Sequence, residues 1–109
     1  MSNAQQPFPS QYNLFRGISA IFIKEGKLSS AAFSNYEMSV DRGDMCSATQ
    51  TQARKSAWIK VASFSHTVPQ ALNQEIKHDP KPDNNAHTLV IGKKTNSIRR
   101  KFAKESTLI

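Results

Sequence analysis

A single cysteine, Cys46, is all the thiol chemistry that this 109-residue chain possesses. Standing alone it excludes an internal disulfide and a cysteine-built zinc cage, because both need several thiols. Long hydrophobic runs are missing as well. The most apolar stretch, Ile18 to Ile23, falls far short of the roughly 20 residues that a membrane-spanning helix requires. The opening residues, MSNAQQPFPSQY, lack the basic and apolar regions of a secretory signal. They read as a flexible arm over 1–12, ahead of a single globular domain over 13–109. The expected setting is the cytoplasm, with no membrane partner. The three histidines, His66, His78 and His87, form no pair at helical spacing and have no second cluster of ligand types near them, so neither a metal nor another cofactor is expected.

Charge is what the chain has in excess. The net charge is +7, and it is unevenly distributed. Residues 1–53 carry four basic and four acidic side chains, whereas residues 54–109 carry eleven basic and four acidic ones. An excess confined to one half points to an anionic partner, with nucleic acid the commonest.

Read in order, Leu14 to Ile23 has apolar residues on both parities and predicts a strand buried on both sides. Lys24 to Lys27 predicts a turn around Gly26, and the small hydroxyl-rich segment Ser29 to Ser34 favours turns and caps. Tyr36 to Asp41 alternates as a strand, with Tyr36, Met38 and Val40 inward and Glu37, Ser39 and Asp41 outward. Met45 to Ser56 is a helix or a long loop. Trp58 to Phe64 is the strongest strand by composition, with Trp58, Ala62 and Phe64 sharing a face. Thr67-Val68-Pro69-Gln70 has the form of a capping box, so a helix through Ile76 is expected. His78 to Asn85 is a proline- and asparagine-rich loop. The fold class expected from this order is α+β, with a mixed or antiparallel sheet of about four strands packed by two or three helices.

The stretch from His87 to Glu105 organises the second half. Thr88 to Ile91 predicts a short strand, Gly92-Lys93-Lys94 a turn, and Thr95 or Asn96 the cap of an amphipathic helix. Ile98, Phe102 and Ala103 share one face of it, Arg100, Lys101 and Lys104 lie opposite, and Arg99 sits at the border. Gly92-Lys93-Lys94-Thr95 is not a nucleotide-binding loop, because the glycine required five residues earlier is His87. Two lysines beside free helix amides still offer a cradle for one phosphate. Lys93, Lys94, Arg99, Arg100, Lys101 and Lys104 are therefore the candidate anion- or nucleic-acid-binding residues. Arg16, Ser30, Asp41, His66 and His87 are the candidate residues of a pocket, should the fold bring them together.

Ser29-Ser30-Ala31-Ala32-Phe33, Met38-Ser39-Val40-Asp41-Arg42, Asp79-Pro80, Asn85-Ala86-His87 and Gly92-Lys93-Lys94-Thr95 resemble segments of a set of small, uncharacterised bacterial proteins. The likeness extends over roughly residues 14 to 105 and implies a bacterial cytoplasmic setting, but no particular chemistry. The functional reading put first is a small basic binding module that contacts a nucleic-acid backbone through the C-terminal helix. A protein-interaction or regulatory subunit docking on an acidic partner comes second. A small enzyme with a Ser/Asp/His pocket comes third, since no local catalytic signature is present; no catalytic residue is assigned, and the oligomeric state is left open.

Overall fold

Strand β1 (Asn13–Ser19) lies near the centre of the sheet, and the chain wraps outward from it to both sides. The computed structural model describes residues 11–109; most of the expected N-terminal arm falls outside the described residues. A 3-10 turn over Ala20–Phe22 leads to a small hairpin, β2 (Ile23–Lys24) and β3 (Lys27–Leu28). Glu25 and Gly26 form its tip at φ of 53° and 76°, so the expected turn is present. A second 3-10 turn, Ser30–Phe33, is capped by the Ser29 hydroxyl, which accepts from the Ala31 amide. Then follow β4 (Glu37–Arg42), α1 (Ala48–Ala53), β5 (Trp58–Ser65), α2 (Thr67–Ala71), β6 (Glu75–His78), β7 (His87–Ile91), α3 (Asn96–Glu105) and β8 (Thr107–Leu108).

Six strands form one sheet in the order β6-β7-β4-β1-β5-β8, and every neighbouring pair is antiparallel. The architecture is a small α+β domain in which the sheet dominates. Its six strands exceed the expected number of about four, and two segments account for most of the difference. Asn73, at φ 58°, ends α2 early, so Glu75 and Ile76 enter β6 rather than continuing a helix. The C-terminal Thr107–Leu108 turns back to pair with β5. The expected capping box at Thr67 is also not formed. Thr67 is itself helical and its hydroxyl meets that of Ser65, while the box appears instead at Ser47 and Gln50, at the start of α1.

One face of the sheet carries the core. Leu14, Ile18, Met38, Val40, Ala62, Phe64 and Val90 are buried there beneath α3 and the Ser30–Phe33 turn. Phe102 is fully buried, with its ring stacked on Phe33 at 5.6 Å and edge-on to Phe64 at 5.3 Å. Such aromatic pairs each add about 0.5–1.5 kcal/mol beyond the area they bury. The expected inward face of α3 is confirmed, with Thr95 as its cap. Two expectations about facing are corrected. Tyr36 is 63% exposed, against the inward place read for it, whereas Asp41 leaves the sheet opposite Met38 and Val40 as read but is covered there and only 4% exposed. Trp58 does not share a face with Ala62 and Phe64. The register with β1 slips between Lys60 and Trp58, leaving Ile59 as an extra residue, and this bulge turns Trp58 to the opposite side.

The pairing that decides the site is the shortest one. β1 and β4 are joined only at Leu14–Arg42 and Phe15–Asp41, after which the two central strands part. Arg16 fills the fork. Its Nε donates to the Ala32 carbonyl at 3.1 Å, Nη1 to the Ser39 carbonyl at 2.7 Å and Nη2 to Asn35 Oδ1 at 3.0 Å. The opening thus stays propped instead of zipping into a continuous ladder.

Candidate active-site cleft

Above this fork the non-core face of the sheet holds a cleft of about 600 Å³. Strand parity brings its polar residues together: Asp41 is registered with Phe15 and with His87, so all three side chains leave the sheet on one side, as does Ser39 two residues before Asp41. Helix α1 borders one side and the 79–86 loop the other. Trp58 and Phe15 supply apolar wall, and Arg16, Glu37, Arg54, Lys55 and Lys81 supply charge.

Asp41 is the hub that holds the cleft's rims. Its Oδ2 accepts from Thr51 Oγ1 at 2.8 Å and from Arg54 Nε at 2.7 Å, both contributed by α1 and its C-cap. Its Oδ1 accepts from Asn84 Nδ2 at 2.8 Å, in the facing loop. Burial alone would raise its pKa, but the bonds from Asn84, Arg54 and Thr51 together hold it below the ordinary carboxylate value. The carboxylate is therefore committed to structure.

A second set of groups is arranged differently. His87 Nδ1 lies 2.9 Å from the Asp79 carbonyl oxygen and 3.2 Å from Asp79 Oδ2. Both of those atoms only accept, so Nδ1 carries the proton and Nε2 presents its lone pair. Nε2 lies 3.2 Å from Ser39 Oγ, which donates to it. Ser39 is exposed at the cleft wall. Asp79 is fixed in turn by its own amide donating to the His87 carbonyl at 2.9 Å, and its carboxylate meets Lys81 Nζ at 3.2 Å. The hydrogen bond from Lys81, with the Lys81 charge and the contact with His87, outweighs the opposing effect of burial and keeps that carboxylate below its usual pKa. The result is a hydroxyl beside an imidazole whose other nitrogen is held by the Asp79 backbone carbonyl, with the Asp79 carboxylate 3.2 Å away, a hydroxyl–imidazole pair of the kind that activates a serine.

Of the five residues put forward as a pocket, Arg16, Asp41 and His87 line the cleft. Ser30 lies instead in a separate groove with Leu28, Leu72 and Arg100. His66 lies away from both: it is buried, stacked on Tyr12 at 4.6 Å and hydrogen-bonded to the Tyr12 backbone. Ser39 and Asp79 were not singled out, although both stand in segments noted for other reasons. Among the described residues, no three His, Cys, Asp or Glu side chains are grouped so as to hold a metal ion, and no helix is long and apolar enough to cross a membrane.

The basic stretch is only partly on the surface. Lys93, Arg100, Lys101 and Lys104 are exposed. Lys94 is not: it is 8% exposed, and its ammonium donates to the carbonyls of Tyr36 at 3.1 Å, Val90 at 3.1 Å and Gly92 at 2.9 Å. Three donors meet three acceptors, so nothing remains for a phosphate, and the two-lysine cradle is not formed. Burial, with a smaller contribution from the Arg16 charge, lowers the Lys94 pKa to about 8. Arg99 is half-buried and donates to Asn96.

The chain matches no protein-family model, no curated protein and no solved structure.

Proposed function

We propose that the chain is a small enzyme of the acyl-transfer class, an esterase or amidase in which Ser39 is the nucleophile, His87 the general base and Asp79 the group that orients the imidazole. The observation that carries the reading is the run of contacts from Ser39 Oγ to His87 Nε2 at 3.2 Å and from His87 Nδ1 to Asp79. Ser39 Oγ attacks the substrate carbonyl carbon while His87 Nε2 takes its proton. The tetrahedral adduct collapses, the leaving group departs with the proton from His87, and an acyl-Ser39 remains. Water, deprotonated by the same nitrogen, then releases the acid and regenerates the serine. General-base assistance of this kind contributes about 10²–10⁴-fold.

A fluorophosphonate probe tests the reading, since it labels only activated serines. Labelling should map to Ser39 and be lost in both Ser39→Ala and His87→Ala, with hydrolysis of para-nitrophenyl butyrate falling at least about 100-fold in each. Labelling that persists in Ser39→Ala would refute the assignment.

A second reading rests on a separate observation. Arg100, Lys101 and Lys104, all exposed, line a groove of about 650 Å³ with Leu28, Leu72 and Ala103, and this cluster of cations supports contact with a nucleic-acid backbone. Its signature is a binding constant whose logarithm falls with log salt by about 0.7–0.9 per phosphate engaged. Anisotropy titrations of labelled single- and double-stranded DNA against Arg100→Gln/Lys101→Gln/Lys104→Gln test it. Binding that the triple variant leaves intact, or no binding at low salt, removes nucleic acid and leaves an acidic protein surface as the partner.

A further inference from the structure

The cations around the cleft differ in how they are neutralised. Arg54 is paired with Asp41 at 2.7 Å and Lys81 with Asp79 at 3.2 Å. Arg16 has no such partner. Among the described residues no carboxylate lies within ion-pair distance of it, although Glu37 and Asp83 line the same cleft. All its acceptors are neutral: two backbone carbonyls and an amide oxygen. A guanidinium has five N–H donors, and these bonds use three, leaving two. Arg16 is half-buried, and the desolvation lowers its pKa to about 10. Lys94, buried close enough for the two charges to repel, likewise rests only on carbonyls. A charge partly withdrawn from water without a counter-ion carries a cost, and an anion entering the cleft would relieve it.

Arg16 is also placed to matter. Its Nη1 is 2.7 Å from the carbonyl of Ser39, the residue whose hydroxyl faces His87, and both residues line the cleft, Arg16 from the fork between β1 and β4. An anionic group held there would lie beside the segment of β4 that carries Ser39. The remaining wall supplies an apolar surface in the half-buried Trp58 and Phe15.

We infer that the cleft selects substrates bearing an oxyanionic group, a carboxylate or a phosphate, and that Arg16 is the residue that binds it. This specificity assignment rests on the acyl-transfer reading of the same cleft, but anion binding by Arg16 can be measured without catalysis.

Trp58 is the chain's single tryptophan and lines the cleft, so its fluorescence reports occupancy. In the Ser39→Ala variant, succinate and inorganic phosphate are titrated separately, with chloride holding ionic strength constant. A saturable change with one or both is expected, and the stronger of the two names the anion type. Arg16→Lys should weaken it several-fold and Arg16→Gln about tenfold or more. Because Arg16 also ties β4 to the Ser30–Phe33 turn, circular dichroism accompanies each variant, and Arg16→Lys decides the matter if Arg16→Gln does not fold. No saturable binding of either anion, or binding unaffected by both substitutions, overturns the inference whatever the outcome at Ser39. In the wild-type enzyme, mono-para-nitrophenyl succinate should have a kcat/KM at least tenfold above para-nitrophenyl butyrate. Hydrolysis of both esters at equal rates would leave Ser39 as nucleophile and refute the role of Arg16.

Discussion

The indole of Trp58 lies directly on Gly17: a Cβ added to that glycine would stand 2.0 Å from Cδ2 and 2.2 Å from Cε3 of the ring. Real Cβ atoms do not approach so closely, so glycine at this point of β1 is what lets the ring form the cleft wall. Lys55 Nζ sits 5.4 Å from the centroid of the same ring. Gly17→Ala should displace the indole, shifting its emission and lowering ester hydrolysis, with a stability loss of about 1–3 kcal/mol typical of overpacking. Unchanged emission and activity would show that the ring does not rest there.

Trp58 and Phe102 should respond differently to truncation. Phe102→Ala removes a fully buried ring between Phe33 and Phe64 and should cost about 3–5 kcal/mol. Trp58 is only half-buried, so Trp58→Ala should cost less, about 1–2 kcal/mol by the area it covers. Chemical denaturation of both variants measures the order, and equal losses would place Trp58 in the core.

Asp41→Asn should destabilise the domain by about 2 kcal/mol, below the 3–5 kcal/mol of a fully buried pair because Arg54 reaches water. The sign of its pH dependence is fixed. The folded pKa of Asp41 is depressed, so its contribution is present above the ordinary carboxylate value and is lost as pH falls through the folded value. Melting temperatures measured below about pH 4 should therefore converge between wild type and Asp41→Asn. A constant gap down to the lowest pH would contradict the network.

Lys94 has a consequence of the same sign at alkaline pH. Its pKa is about 8 in the folded chain against 10.5 for the free side chain, so between those values the unfolded chain holds a proton that the folded one has released. Stability attributable to Lys94 should rise across pH 8 to 10.5 and be flat below 8. In Lys94→Met that rise should vanish. If both proteins show the same slope, Lys94 is not desolvated.

Local chemistry is strongly legible in this chain. The glycine turn at Gly26, the cap at Thr95 and the inward face of α3 depend on neighbours within a helical turn or a hairpin, and the structure has each of them. The alternation of β4 is legible, with Met38 and Val40 on one side and Ser39 and Asp41 on the other, but what covers each side is not. Asp41 is buried because Thr51, Arg54 and Asn84 converge on it from elsewhere in the chain, and Tyr36, just ahead of β4, is covered by no such group among the described residues. Charge counting located Arg100, Lys101 and Lys104 correctly on the surface but could not show that Lys94 turns inward, since that depends on three carbonyls, one within β7 and two in the residues just before β4 and just after β7.

By itself the sequence determined the α+β character, the amphipathic C-terminal helix and the confinement of excess charge to the second half, because composition and periodicity act over short distances. Tertiary structure alone decided the site. Ser39 meets His87, 48 positions later, through antiparallel register, and Asp79 reaches the same imidazole across an eight-residue separation. Arg16 enters the cleft because β1 and β4 stop pairing after two residues, and Trp58 reaches it because one extra residue in β5 reverses its face. Register, bulges and strand separation follow from how whole strands pack, and a single strand's own residues carry no local mark of any of them.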